Sequence, residues 1–117
     1  MEKNLQKLSN GKDEMVSKGQ ILDAAEKYFA STIKTIDFDG TVTEGKQAAM
    51  KKLTAFVGSI QKVNEISLLR SATDNNASFS EYIFSFEMED GSKIYWHEII
   101  RSLWENEQII EEQYFTA

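Results

Sequence analysis

Residues 80–104 read SEYIFSFEMEDGSKIYWHEIIRSLW, and the alternation of side chains along them decides the architecture. Successive side chains on a strand point to opposite faces, so a half-buried strand alternates between apolar and polar. The even positions from Ser80 are Ser80, Tyr82, Phe84, Phe86 and Met88; the odd ones are Glu81, Ile83, Ser85 and Glu87. Asp90-Gly91 then interrupts the run. Asp-Gly between two alternating runs signals a tight hairpin, because its turn needs positive φ. From Lys93 the even positions are Ile94, Trp96, Glu98, Ile100, Ser102 and Trp104, against Tyr95, His97, Ile99, Arg101 and Leu103. The even face reads as buried, with one carboxyl, Glu98, in its middle.

Working outward, the polar break Glu105-Asn106-Glu107 precedes a last strand over 108–115, and a strand over 60–72 is followed by a loop at 73–78 (TDNNAS). Four strands in succession leave no room for crossover helices, so the sheet is expected to be mainly antiparallel. The N-terminal half has the helical period instead. Ala48, Ala49, Leu53, Phe56 and Val57 share a face over 44–58, and Ile21, Leu22, Ala25, Tyr28 and Phe29 do so over 20–30. An earlier helix over 2–17 is weakened by Asn10-Gly11, and 32–39 reads as a short strand closed by the Asp39-Gly40 turn. Helices followed by a meander give an α+β class, with the helices laid on one face of a curved sheet.

A chain of 117 residues is expected to form one domain over 1–117, with a radius of gyration of about 13 Å. Residues 1–14 are expected as a loosely ordered extension. There is no cysteine and a single histidine, which excludes disulfides, thiol nucleophiles and the common zinc sites. No metal or cofactor is expected. The formal charge of −6 with thirteen scattered basic residues argues against nucleic acid and anionic membrane, since both need clustered Lys and Arg. With no long apolar run and no apolar signal core, a cytoplasmic location is expected.

Helices feeding a short strand, then Gly40-Thr-Val-Thr-Glu-Gly-Lys46 opening a helix, then a meander ending in Leu103-Trp-Glu-Asn-Glu-Gln-Ile-Ile-Glu-Glu112, resemble the nuclear transport factor 2-like superfamily. Within it the pattern is most similar to SnoaL-like proteins, relatives of ketosteroid isomerase. The resemblance covers about residues 15–116, and in the final hairpin Glu107-Gln108 replaces the usual Gly-Lys. It implies a cone with a pocket between the concave sheet face and the helices, and dimerisation through the outer face. No single reaction is implied, since the same cone hosts several chemistries.

The resemblance places the isomerase base at Asp37, whereas the family's protonated aspartate falls on Ile100, so that oxyanion donor is absent. Glu98, two residues away on the same face, is the substitute candidate, and burial between Trp96 and Ile100 would raise its pKa. Asp37 and Glu98 are thus the candidate catalytic residues; the plain alternatives are a solvated strand end and a carboxylate paired with lysine. Tyr28, Tyr82, Phe84, Phe86, Trp96, Ile100 and Trp104 are the candidate pocket wall, against the simpler reading of core aromatics. His97 is demoted by parity, because it shares the outer face with Tyr95, Ile99, Arg101 and Leu103, the face expected to meet a second copy.

Thr35-Ile-Asp-Phe-Asp-Gly-Thr-Val-Thr43 also resembles the first motif of haloacid-dehalogenase-like phosphatases, with two aspartates and magnesium. That fold needs a parallel sheet, which the meander denies. Two functional classes follow: a pocket protein for a small apolar, carbonyl-type molecule, with isomerase- or lyase-like turnover or binding alone, and a dimeric scaffold whose outer sheet face acts.

Overall fold

The computed structural model describes residues 2–117. In chain order it contains α1 (Glu2–Ser17), α2 (Ile21–Tyr28), β1 (Phe29–Ile36), β2 (Val42–Glu44), α3 (Lys46–Gly58), β3 (Ile60–Asp74), β4 (Ala77–Met88), β5 (Lys93–Glu105) and β6 (Gln108–Thr116). The sheet order is β2-β1-β6-β5-β4-β3. All pairings are antiparallel except β1 with β6, which returns the chain's end beside its first strand. The result is a curved, unclosed sheet with the helices on its concave face.

The parity of β4 and β5 holds in space. Ser80, Tyr82, Phe84, Phe86 and Met88 are all buried, and β5 continues that face with Glu98, Ile100, Ser102 and Trp104. Register sets Tyr82 opposite Glu98 and Phe84 opposite Trp96. The chain does reverse at Asp90-Gly91, but not in the tight turn with positive φ at both residues: only Gly91 takes positive φ (+88°). In the loop between Met88 and Lys93 the Gly91 N–H donates to Met88 O at 3.0 Å, while the Asp90 carboxylate accepts from the Ser92 amide at 2.8 Å.

Three departures matter. Residues 2–14, expected as a loose extension, form most of α1, which buries Leu5, Ser9, Lys12, Asp13 and Val16. Gly11 is what lets this helix lie close, because a Cβ there would come within 2.8 Å of the Tyr28 hydroxyl. The glycine that lowers helix propensity thus serves packing. Residues 42–44, read as the approach to a helix, fold back as β2 against β1, so Asp37–Thr41 is a hairpin turn closed by Asp37 N–H to Thr41 O at 2.9 Å. The phosphatase-like motif therefore lies on two antiparallel strands, and the parallel sheet on which that chemistry depends is missing. Last, the loop expected at 73–78 shrinks to Asn75-Asn76, since β3 and β4 pair up to Asp74 and Ala77.

The core divides in two. One part joins Leu5, Tyr28, Phe29, Ile33, Trp104 and Ile109; the other joins Val16, Ala24, Tyr82, Phe84, Phe86 and Ile100. The cavity opens mainly off the second, with Phe29, Ala25 and Ala49 of the first at its wall.

Candidate functional site

The cavity measures about 490 Å³, within the range of small-molecule sites. Its floor is the concave face of β4 and β5, where strand alternation projects Phe84, Phe86, Trp96, Glu98 and Ile100 inward. Leu53 and Phe56 of α3 and the small residues Ala24 and Ala25 of α2 close the opposite side. Near the β1–β2 turn, Trp96 stacks on Phe56 (centroids 5.5 Å, 16°) and meets the edge of Phe38 at 5.5 Å.

A buried polar cluster sits against this apolar wall. Lys12, carried in by α1, donates to Glu112 Oε2 at 2.6 Å and to Ser102 Oγ at 3.3 Å. Ser102 donates to the same carboxylate at 2.9 Å, and the Tyr114 hydroxyl donates to its other oxygen at 2.7 Å. Burial, then the Glu112 charge, holds the Tyr114 phenol well above its ordinary range. Glu112 is thereby saturated.

Glu98 differs. It is 5 % exposed, lines the cavity, and makes no hydrogen bond among the described residues; its oxygens open into the cavity rather than into packed protein. Burial pushes its pKa up to about 7, the Glu112 charge adds to the rise, and Lys12 opposes it. Two neighbouring carboxyls thus sit in different electrostatic states, one tied to an ammonium and one free to exchange a proton near neutrality. A second ion pair, Lys52 with Asp37, bridges α3 to the end of β1 at the cavity rim, beside Asp39. No group of three or more metal-ligating side chains occurs among the described residues.

Of the residues expected from sequence, Asp37, Glu98, Phe84, Phe86, Trp96 and Ile100 line the cavity. Tyr28, Tyr82 and Trp104 do not, for identifiable reasons. Tyr28 packs edge-on against Trp104 at 5.6 Å in the first part of the core, and Trp104 donates to Ser78 Oγ at 2.9 Å. Tyr82 is covered by α1, its hydroxyl donating to Asp13 at 2.8 Å. His97 faces outward and bonds Glu81 at 2.6 Å, as parity implied. Lys12, Lys52, Phe38, Phe56, Glu112 and Tyr114 were missed. In β6 the cause is a register shift between Leu103 and Trp104, after which Ile109 and Glu112 are both buried despite opposite parity.

Neither a protein-family model nor a curated protein matches the sequence. Solved structures do. A proposed SnoaL-like polyketide cyclase from Mesorhizobium loti superposes with a TM-score of 0.84 at 21% identity, covering 94% of this chain and 97% of its own. This is the SnoaL-like, NTF2-like fold. An NTF2-like protein of unknown function from Burkholderia pseudomallei shares the cone (TM-score 0.80, 9% identity, 97% and 91% covered). So does a proposed polyketide cyclase from Xanthomonas campestris (0.77, 13%, 98% and 91%). The pocket lies between sheet and helices of this cone, and the likeness gives no support to the haloacid-dehalogenase-like reading.

Proposed function

We propose that this chain is a small-molecule pocket protein. It takes a compact, largely apolar ligand whose body lies on Phe84, Phe86, Trp96 and Phe56 and whose one polar end meets Glu98. The observation that carries this reading is the buried Glu98 carboxyl, unpartnered and open to a cavity of about 490 Å³. An unpartnered buried polar group costs stability, and a ligand that bonds it recovers that cost. Glu98 is also the best placed group to exchange a proton with the ligand. Asp37, the base the resemblance implied, is held in an ion pair with Lys52 at the rim. A fragment screen by thermal shift at pH 7 tests the reading: hits are expected to protect wild type and to protect Trp96→Ala much less. Hits indifferent to Trp96 would remove it. If a hit is turned over, Glu98→Gln should abolish turnover and Asp37→Asn should reduce it less.

A homodimer through the outer sheet face is proposed as well. Tyr95 is 68 % exposed on the outer face that also carries Ile99 and Leu103, and light scattering at about 50 micromolar, where a standard-size interface is expected to associate, tests it. Among the described residues no helix is long and apolar enough to cross a membrane; a cytoplasmic setting is proposed with the rest.

A further inference from the structure

The charges around the cavity are unequal. Two lysines line it, Lys12 and Lys52, and each is already engaged by a carboxylate, Glu112 and Asp37 respectively. Four carboxyls line it, leaving Glu98 and the rim residue Asp39 without a cationic partner. Asp39 is exposed, bonded to the Thr41 amide at 2.9 Å. Glu98 is enclosed. Around it the sheet sets aromatic rings: Tyr82 directly opposite on β4, Trp96 two residues before it on the same face, and Phe84 diagonal to it across the β4–β5 ladder. Phe84 stacks on Tyr82 (centroids 5.0 Å, 22°) and on Phe86 (5.8 Å, 30°), so the three rings form one stack beside Glu98.

A carboxylate in such a setting lacks what an anion needs, since it is set among aromatic rings and the nearest ammonium is committed to Glu112. The same setting suits a cation, which is attracted by an ionised carboxylate that has no other cationic partner and tolerates aromatic surface around it. From this we infer that the polar end of the ligand is a compact organic cation, an amine or a quaternary ammonium, received by Glu98 and the rings of Trp96, Phe84 and Phe86. The inference rests on the pocket reading above and specifies its ligand class. An anionic ligand would meet uncompensated carboxylates. A neutral one would use the rings and leave the charge imbalance unanswered.

The proposal predicts a pH signature. The titratable groups facing Glu98 are Glu112 and Tyr114 from β6, Lys12 from α1 and Tyr82 from β4; Asp37, Asp39 and Lys52 stand at the rim, and α2 offers only Ile21, Ala24 and Ala25. Burial pushes the pKa of Glu98 up to about 7. A permanently charged ligand requires it ionised, so affinity should climb as pH rises through about 7 and then level off.

The test is an NMR titration of the wild-type protein at low salt with three molecules of nearly one shape: choline, its uncharged carbon isostere 3,3-dimethylbutan-1-ol, and 3,3-dimethylbutanoate. Choline is expected to shift the Trp96 indole resonance and to bind about tenfold tighter at pH 8 than at pH 6, following the ionised fraction of Glu98. The alcohol should bind more weakly and without pH dependence, and the carboxylate not at all. Glu98→Gln, checked by its melting curve, should remove both the preference for choline and its pH dependence. Trp96→Leu should weaken choline more than the alcohol, which keeps the idea testable if the Gln variant does not fold. Equal or tighter binding of the alcohol at pH 8, or binding of the carboxylate, would overturn the cation and leave the pocket reading standing. No response to any of the three would also overturn it, while the pocket itself is decided by the fragment screen.

Discussion

Lys12 and Asp13 are neighbours on α1, yet they anchor two buried polar clusters of opposite character. Asp13, 3 % exposed, accepts from Ser80 Oγ at 2.9 Å on both of its oxygens and from the Tyr82 hydroxyl at 2.8 Å. Burial and the Asp13 charge together raise the Tyr82 phenol far above its ordinary range, so its hydroxyl stays a donor. The cluster is closed, and it clamps α1 to β4. Lys12 reaches the other way, to Glu112, in a cluster that leaves Glu98 without a partner beside a cavity. A saturated buried network holds a fold together; an unsaturated one that faces a cavity is the place for a ligand.

Breaking the second cluster at its ion pair should have the largest effect. Lys12→Met strands Glu112 as a buried charge and should cost about 3–5 kcal/mol in urea denaturation at pH 7. An unchanged midpoint would mean that the pair contributes nothing.

Glu98→Gln tests the same cluster with the opposite sign. The folded-state pKa of Glu98, about 7, lies above its ordinary 4.5, so the fold favours the neutral form. Stability linked to this group is present below about pH 4.5 and is lost as pH rises through about 7. The Gln variant should therefore be more stable than wild type at pH 8, by on the order of 3 kcal/mol if the native carboxylate is fully ionised there. Near pH 4 the two should be alike. A variant less stable at pH 8 would show that the Glu98 carboxylate has a partner after all.

The closed cluster should behave as structure alone. Asp13→Asn, which keeps the shape but weakens two charge-assisted bonds, should cost about 2 kcal/mol. Ser80→Ala, which removes one donor and leaves Asp13 its bond from Tyr82, should cost about 1 kcal/mol. Both should bind any pocket ligand as wild type does. A change in ligand affinity in either variant would dissolve the distinction between the clusters.

Much of this was legible one residue at a time. Alternation from Ser80 to Trp104 placed Glu98, Phe84, Phe86 and Trp96 inward and His97 outward, because a continuous strand cannot change face without a bulge. The same rule failed in β6, where the shift after Leu103 brings Glu112 inward. It also said nothing of Lys12, because a lysine on a helix reads as solvated unless its partner is known, and that partner lies 100 residues away. Tyr82 faced the right side but was covered by α1, since parity assigns a face and not what lies over it.

The sequence by itself determined the α+β class, the chain reversal at Asp90-Gly91 and the faces of β4 and β5, and with them the place of Glu98 on the inward face. These follow from local rules: side-chain period and turn geometry. Only the tertiary structure decided which apolar residues enclose space and which fill it, that Glu112 rather than Glu98 takes Lys12, and that Asp37 is held by Lys52. Those outcomes depend on contacts between elements far apart in the chain, where a shift of one residue in register or one helical turn in docking exchanges one partner for another.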